Sequence, residues 1–454
     1  MLQEISSSLL KNLVDFILII LILSNPLFYG SVTVLGYTYI EVVVFLCIFL
    51  WLLDMFLQRK FVILKVKLVI PIFLFLFLIL LQVILIPKDI FKFISPYTLK
   101  FYREFLPFNY SSPFFSLSIC RESTLIYFFK SLSYFLVFFL IVNHIQRKDQ
   151  FKKLYNTIIL AGLIITIIAI IQKFKGSRIF KENFPLGIFI NRNHLAGYLE
   201  MIIPLAFGCF ISETKAIFRS YYLIGIFIMS LGIFLTLSRA GLIIYIFSIV
   251  MLVSILINKA KYFVDLNLKA LICIMVVIIL ILLSMIDIKL ILNRAISIFS
   301  SSAFDRGYSI KDILKIWLDF PLFGTGLGTF ADINPKYKSS YHQIVFTYAH
   351  NDYLQLLSET GIIGFSLIFI FFYLYFLSFF KMWNKRHDRF VVGLSSGGVI
   401  SIVAILIHSL IDFNLHIPTN ALLFFIILAL NYKLVFSNFR IKDDLSLKDL
   451  AERT

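Results

Sequence analysis

"GIIGFSLIFIFFYLYFLSFF" (Gly361–Phe380) is a run of twenty residues without a charged side chain. As an α-helix rising about 1.5 Å per residue, it is long enough to cross the roughly 30 Å of hydrocarbon in a bilayer. It lacks the alternation of apolar and polar positions that a barrel strand requires. Outward in both directions similar runs recur between charged clusters. They give expected spans near 10–29, 38–57, 67–86, 123–143, 155–172, 194–212, 221–237, 240–257, 270–286, 361–380, 391–411 and 417–435. The 454 residues are 60% hydrophobic and 15% charged, with a mean hydropathy of +0.94, a balance that suits lipid and not water. The fold class expected is therefore all-α, a polytopic integral membrane protein with about twelve transmembrane helices. The first run, Leu13–Leu23, leads into Asn25-Pro26 and not into a small-residue cleavage site, so it reads as a retained span and not a signal peptide.

Basic residues assign the sides. Arg59, Lys60, Lys65 and Lys67, then Arg147, Lys148, Lys152 and Lys153, then Lys215 and Arg219, then Lys259, Lys261 and Lys269, then Lys381, Lys385, Arg386 and Arg389 fall in alternate connections. By the positive-inside rule these are cytoplasmic, as are both termini. The opposite face then holds the two longest connections, Pro87–Glu122 and Asp287–Asn351. That face also carries Lys173, Lys175, Arg178, Lys181, Arg192, Arg294 and Arg306, against the usual bias, which points to an anionic ligand there. A net charge of +17 suits anionic headgroups or a phosphorylated lipid better than nucleic acid, which is not an expected partner. Cys47, Cys120, Cys209 and Cys273 are isolated, so neither a disulfide framework nor a zinc site is indicated. The two halves show no repeat, which disfavours the twofold transporter architectures.

Six stretches stand out. "GIFINRNHLAGYLEMIIPL" brings Asn191, Arg192, Asn193 and His194 to the start of a span. "LTLSRAGLI" sets Arg239 in an outward turn beside Ser238, Ala240 and Gly241, small neighbours that let a bulky ligand approach; the alternative is a snorkelling anchor. "SAFDRGYSIKDILKIW" puts Arg306 before Ile310, Ile313, Leu314 and Trp317, spaced as an amphipathic helix able to lie on the membrane surface. In isolation Arg306 reads as a salt-bridge partner of Asp305 or as a loop charge. "PLFGTGLGTF" (321–330) has the wrong spacing and context for a nucleotide fingerprint and reads as a tight turn.

"TYAHNDYLQLLSETGIIGF" (347–365) places His350 just outside a helix that Asn351 or Asp352 caps, where a proton acceptor for a hydroxyl is expected. Leu354–Phe365 reads as ordinary passage into the bilayer, with Glu359 orienting a partner or pairing with a loop base. "HSLIDFNLHIPTNALLFF" brings His408, Asp412, Asn414 and His416 to the turn between the last two spans, with no compact metal-ligand spacing; no metal is expected.

Taken in order, "NRNHLAGYLEMIIPL" (191–205), "LTLSRAG" (235–241), Arg306 with the helix leading to "PLFGTGLGTF" (321–330), "AHNDYLQLLSETGIIG" (349–364) and "HSLIDFNLHIP" (408–418) resemble the O-antigen ligase and polymerase superfamily of bacterial envelope glycosyltransferases. The resemblance covers about 190–420 and leaves the first 185 residues matched only as hydrophobic spans. It implies a GT-C-like enzyme without metal or other cofactor, in the bacterial inner membrane, working on its periplasmic face. It implies transfer of glycan from an undecaprenyl-pyrophosphate donor to a hydroxyl of the lipid A core, as in a ligase, or of another lipid-linked glycan, as in a polymerase of O-antigen or exopolysaccharide. Carried over by position, Arg239 and Arg306 match the family's pyrophosphate-binding arginines and His350 its essential histidine. Asn191, Arg192, Asn193, Asn351, Glu359 and Asp412 are the candidate supporting residues.

The expected organisation is 1–185, N-terminal spans with a periplasmic loop near 87–122; 186–435, the ligase-like transmembrane domain with the catalytic loop 287–351; and 436–454, a cytoplasmic tail. The rival of another class is a transporter or flippase of an anionic lipid-linked glycan. It predicts polar residues spread along the spans near the midplane, whereas here they gather at span ends.

Overall fold

The computed structural model describes residues 2–61, 68–105, 112–174, 188–259, 262–263, 301–338, 347–437 and 439, except for the side chains of 2–6, 174 and 301–309. The described chain is almost entirely helical. In order come α1 (Leu2–Ser24), α2 (Val34–Gln58), α3 (Val69–Val83), α4 (Lys88–Ile94), α5 (Pro96–Phe105), α6 (Arg121–His144), α7 (Lys148–Phe174), α8 (Arg192–Ser212), α9 (Ala216–Thr236) and α10 (Arg239–Asn258). There follow α11 (Ser301–Asp319), α12 (Phe330–Tyr337), α13 (Asp352–Trp383), α14 (Arg389–His408) and α15 (Pro418–Phe436). Ten of the described helices are long and apolar enough to cross a bilayer, and the fifteen-residue α3 is a shorter apolar helix. The span expected near 270–286 and the tail beyond 439 lie outside the described residues. The protein is a multi-pass α-helical membrane protein.

α8 is the axis of the bundle, with 94% of its most apolar window buried against 22% for α1. It packs on α14 through glycine. A Cβ on Gly208 would stand 2.9 Å from the Gly393 carbonyl oxygen and 3.2 Å from the Gly397 Cα. Gly393 and Gly397 are four apart, the small-residue spacing by which membrane helices approach backbone to backbone when no hydrophobic effect drives them together. Ser401 donates to the Met201 carbonyl across the same contact. α10 packs on α8, α9 and α14, whereas α6 packs on α2, α3 and α15.

The two long connections are structured where described. Ile86–Pro87 (β1) pairs antiparallel with Phe114–Phe115 (β2), and α4 and α5 cover Phe91, Leu99, Phe115 and Leu117. α11 is the amphipathic helix expected, and part of its apolar side packs into the protein while Ile310 and Leu318 stay exposed. Ile313, Ile316 and Phe320 are packed with Phe330, Ile333 and Ala349, so α11 caps the bundle over the start of α13. The passage into the bilayer at α13 is also not ordinary, because the helix breaks at Gly361 (φ 62°, ψ −171°).

Candidate functional site

Chain direction brings α8, α10, α13 and α15 to begin, and α9 and α14 to end, at one end of the bundle. The start of α13 is tied to the end of α14: the Asp352 amide donates to the Ser409 carbonyl (2.9 Å), Asn351 Nδ2 to the Leu410 carbonyl (2.8 Å) and the Tyr353 hydroxyl to the Leu406 carbonyl (2.7 Å). Of the two capping candidates, Asn351 is the N-cap, its side chain accepting from the Leu354 amide at 2.9 Å.

His350 precedes this cap in a left-handed backbone conformation (φ 49°), which turns the chain sharply. Its Nδ1 lies 3.4 Å from Asp412 Oδ1, and its ring meets the edge of Phe413 at 4.9 Å. Asn193 donates to the other Asp412 oxygen at 2.7 Å, and the Phe413 amide donates to Oδ1 at 2.9 Å. Burial pushes the Asp412 carboxyl up, but the hydrogen bond from His350, the nearby His194 imidazole and the hydrogen bond from the Phe413 amide together outweigh it and hold it well below the usual carboxylate range. An anion facing Nδ1 fixes the proton there and makes Nε2 the basic nitrogen. Asn191 caps α8 by accepting from the Asn193 amide at 2.9 Å, which orients the Asn193 side chain.

Arg239 is the first residue of α10 and is exposed. Leu237 is left-handed (φ 52°) and Ser238 caps the helix, accepting from the Gly241 amide at 3.2 Å. Gly241 abuts α8, where its Cβ would fall 2.7 Å from that of Ala196, one turn beyond Asn193. Arg239 and His350 are thus linked through the first turn of α8. Arg192 is exposed at the head of α8. The backbone of Arg306 lies in α11, and its side chain is outside the described set.

Glu359 has a different place from either expected. Buried in α13, its Oε2 accepts from the Gly328 amide (2.8 Å) and its Oε1 from the Phe330 amide (3.1 Å) and Gln355 Nε2 (3.0 Å). The Gly326 amide donates to the Glu359 carbonyl (2.9 Å) and the Thr325 amide to that of Ser358 (3.1 Å). Gln82 on α3 completes the knot, accepting from the Leu327 amide (3.1 Å) and donating to the carbonyls of Phe323 (2.7 Å) and Glu359 (2.9 Å). The glycine run is therefore a loop wound on a buried carboxylate, and it seats the ring of Tyr127, which a Cβ on Gly328 would enter.

The histidines of 408–418 do not converge. His408 turns inward to Glu200 (2.9 Å), and His416 bonds Asp352 (2.5 Å). Several residues at this end went unnoticed in sequence. Tyr348 stacks on Phe413 with centroids 4.6 Å apart and lies 5.4 Å from the His416 ring. Lys130 in α6 sits 3.9 Å from the ring centroid of Tyr37 and 4.6 Å from that of Tyr127. A lysine inside the otherwise uncharged run 123–143 was the signal for it.

Fold and site together define a polytopic membrane protein with a histidine, its carboxylate and basic residues gathered at one end of the bundle. Residues 224–369 match the family model described as O-antigen ligase, so this part of the chain is similar to the O-antigen ligase and polymerase superfamily. The match supports membrane glycosyltransferase activity of the ligase or polymerase kind. Among curated proteins none matches the chain. The matched segment holds Arg239, Arg306, His350 and Glu359, while Asn193 and Asp412, which fix His350, come from either side of it.

Proposed function

We propose that the protein is an O-antigen ligase-like glycosyltransferase that moves glycan from an undecaprenyl-pyrophosphate donor to a hydroxyl of the lipid A core at the periplasmic face of the inner membrane. The observation that carries this reading is the His350–Asp412–Asn193 chain at the bundle end where α10 begins with Arg239. His350 Nε2 accepts the proton of the acceptor hydroxyl, whose oxygen forms a bond to the anomeric carbon. The bond from that carbon to the pyrophosphate oxygen breaks, and the electron pair leaves with the lipid pyrophosphate. Arg239 and Arg306 stabilise the charge that develops on the leaving group, a task that two guanidinium groups perform without a metal. A polymerase, with a lipid-linked glycan as acceptor, uses the same chemistry.

The basic residues of alternate connections support cytoplasmic termini and a periplasmic site. Single-turnover transfer with purified His350→Ala and Arg306→Ala tests the assignment: both are expected to lose transfer while remaining folded, and near-normal rates in both would sink it. Flux of lipid-linked glycan across vesicles without transfer would favour a transporter instead.

A further inference from the structure

Between α3, α6, α13 and α15 lies a cavity of about 170 Å³. Its walls are apolar, with Phe75, Phe135, Phe371, Phe424 and Phe425 prominent. Lys130, Asp352 and His416 also border it. Lys130 stands nine residues into α6, roughly 13 Å along the helix axis. A lysine at such depth in a span is costly and is ordinarily paired.

Here the pairing is incomplete. Among the described residues Lys130 Nζ makes no ion pair or hydrogen bond, and it is held between the faces of Tyr37 and Tyr127. Glu41 on α2 acts on it electrostatically without an ion pair. Asp352 is already engaged, one oxygen by His416 Nδ1 and the other by the Leu415 amide. At the edge of an apolar chamber, the ammonium group thus has two ring faces and, among the described residues, no hydrogen-bond acceptor.

The chamber is also walled off from the arginine side. His350 touches Phe413, Phe413 stacks on Tyr348, and the Tyr348 hydroxyl is 3.5 Å from that of Tyr127, the ring beside Lys130. Arg239 begins α10, which packs on α8, α9 and α14; Lys130 is on α6, which packs on α2, α3 and α15. His350 stands at the aromatic partition between them.

We infer that this chamber is a second lipid site, which takes a polyprenyl phosphate with its phosphate on Lys130 and the head-proximal part of its chain among the phenylalanines. An apolar cavity of about 150 Å³ holds one benzene, so the chamber holds about one isoprene unit, the first, and the rest of the chain passes into the bilayer. The inference rests on the polymerase form of the function proposed above, in which the acceptor is a lipid-linked glycan, only in assigning the site to that acceptor, apart from the donor at the arginines.

Photolabelling of the full-length protein in phosphatidylcholine nanodiscs with diazirine-bearing geranylgeranyl phosphate tests it without requiring turnover. Adducts are expected in Ala421–Phe425 or Phe371–Phe372. Lys130→Ala is expected to lower them about tenfold, the loss of one charge-assisted hydrogen bond, and Lys130→Arg to keep them. Ala421→Leu, which fills the chamber without touching Lys130, gives an independent reduction if Lys130→Ala does not fold. Arg239→Ala is expected to leave labelling unchanged. Equal labelling by the matching alcohol, indifference to Lys130→Ala in folded protein, or an equal drop in Arg239→Ala overturns the inference, as does full competition by phosphatidic acid, which would make the chamber an ordinary anionic-lipid site. A failure of transfer chemistry would leave these outcomes untouched, so the two readings fail separately.

Discussion

His350 Nδ1 lies 3.4 Å from Asp412 Oδ1, although the two residues are 62 positions apart and belong to different turns of the chain. The second Asp412 oxygen is taken by Asn193, so the carboxylate cannot swing away from the imidazole without losing another bond. Asp412→Asn removes the charge that fixes the His350 tautomer while conserving shape. Transfer is expected to fall by about 10²- to 10⁴-fold in kcat with little change in KM. Asn193→Ala, which acts through Asp412, is expected to lower it by about 10- to 100-fold. The double variant with His350→Ala should be no worse than His350→Ala alone, because one proton-transfer unit is removed once. A multiplicative loss in single-turnover kinetics would separate Asp412 from His350.

Glu359 predicts a stability effect. Its carboxylate satisfies the buried Phe330 amide and Gln355 and the half-buried Gly328 amide. Glu359→Ala leaves the buried Phe330 amide without an acceptor, at about 1–3 kcal/mol, and the half-buried Gly328 amide as well, at less. Thermal unfolding in detergent should show a large drop in Tm for Glu359→Ala and a smaller one for Glu359→Gln, whose single carbonyl oxygen serves one of the two amides. An unchanged Tm in Glu359→Ala would mean that the loop is held elsewhere.

What was readable in the sequence was local. Uncharged runs of about twenty residues give spans because hydrocarbon length sets helix length, and Asn351 is a cap by chemistry that lies within three residues. The α13 span, expected to begin at 361, begins at Asp352 and carries a break at Gly361. The partners of charged groups were not readable. Glu359 binds amides 29 and 31 positions away, and His408 and His416, eight residues apart, go to Glu200 and to Asp352. Only packing decides these pairings, and side-chain type is silent about it. Lys130 was passed over because its span looked complete without it, although its charge was the anomaly.

The two backbones at the helix break touch through reciprocal glycines. A Cβ on Gly324 would stand 2.3 Å from the Glu359 carbonyl carbon, and one on Gly361 would stand 2.3 Å from that of Leu322. Gly361 (φ 62°, ψ −171°) occupies a region that essentially only glycine enters. Either glycine replaced by alanine requires strain and backbone displacement together. The expected outcome is loss of folded protein, seen as aggregation on size-exclusion chromatography. Gly225→Ala, where a Cβ would meet only side-chain atoms at 3.6 Å or more, serves as the control expected to stay folded.

His416 predicts how stability depends on pH. Burial pushes its imidazole down from 6.5, but the Asp352 carboxylate, 2.5 Å away, outweighs burial and raises it. A group with a raised folded pKa binds its proton more tightly when folded, so its contribution is complete below about 6.5, the unfolded value, and is lost as pH rises through the folded value. The Tm of the wild type is therefore expected to decline from near-neutral to alkaline pH. Asp352→Asn removes the anion that holds the proton, so the variant should start lower and lose this part of the slope. The Asp412 carboxyl runs the opposite way: depressed on folding, its contribution is present above the unfolded carboxylate pKa and vanishes only in acid. The alkaline decline therefore belongs to His416 and not to Asp412. An identical slope between about pH 6.5 and 9 in wild type and Asp352→Asn, followed by melting curves in detergent, would remove the His416–Asp352 pair from this account.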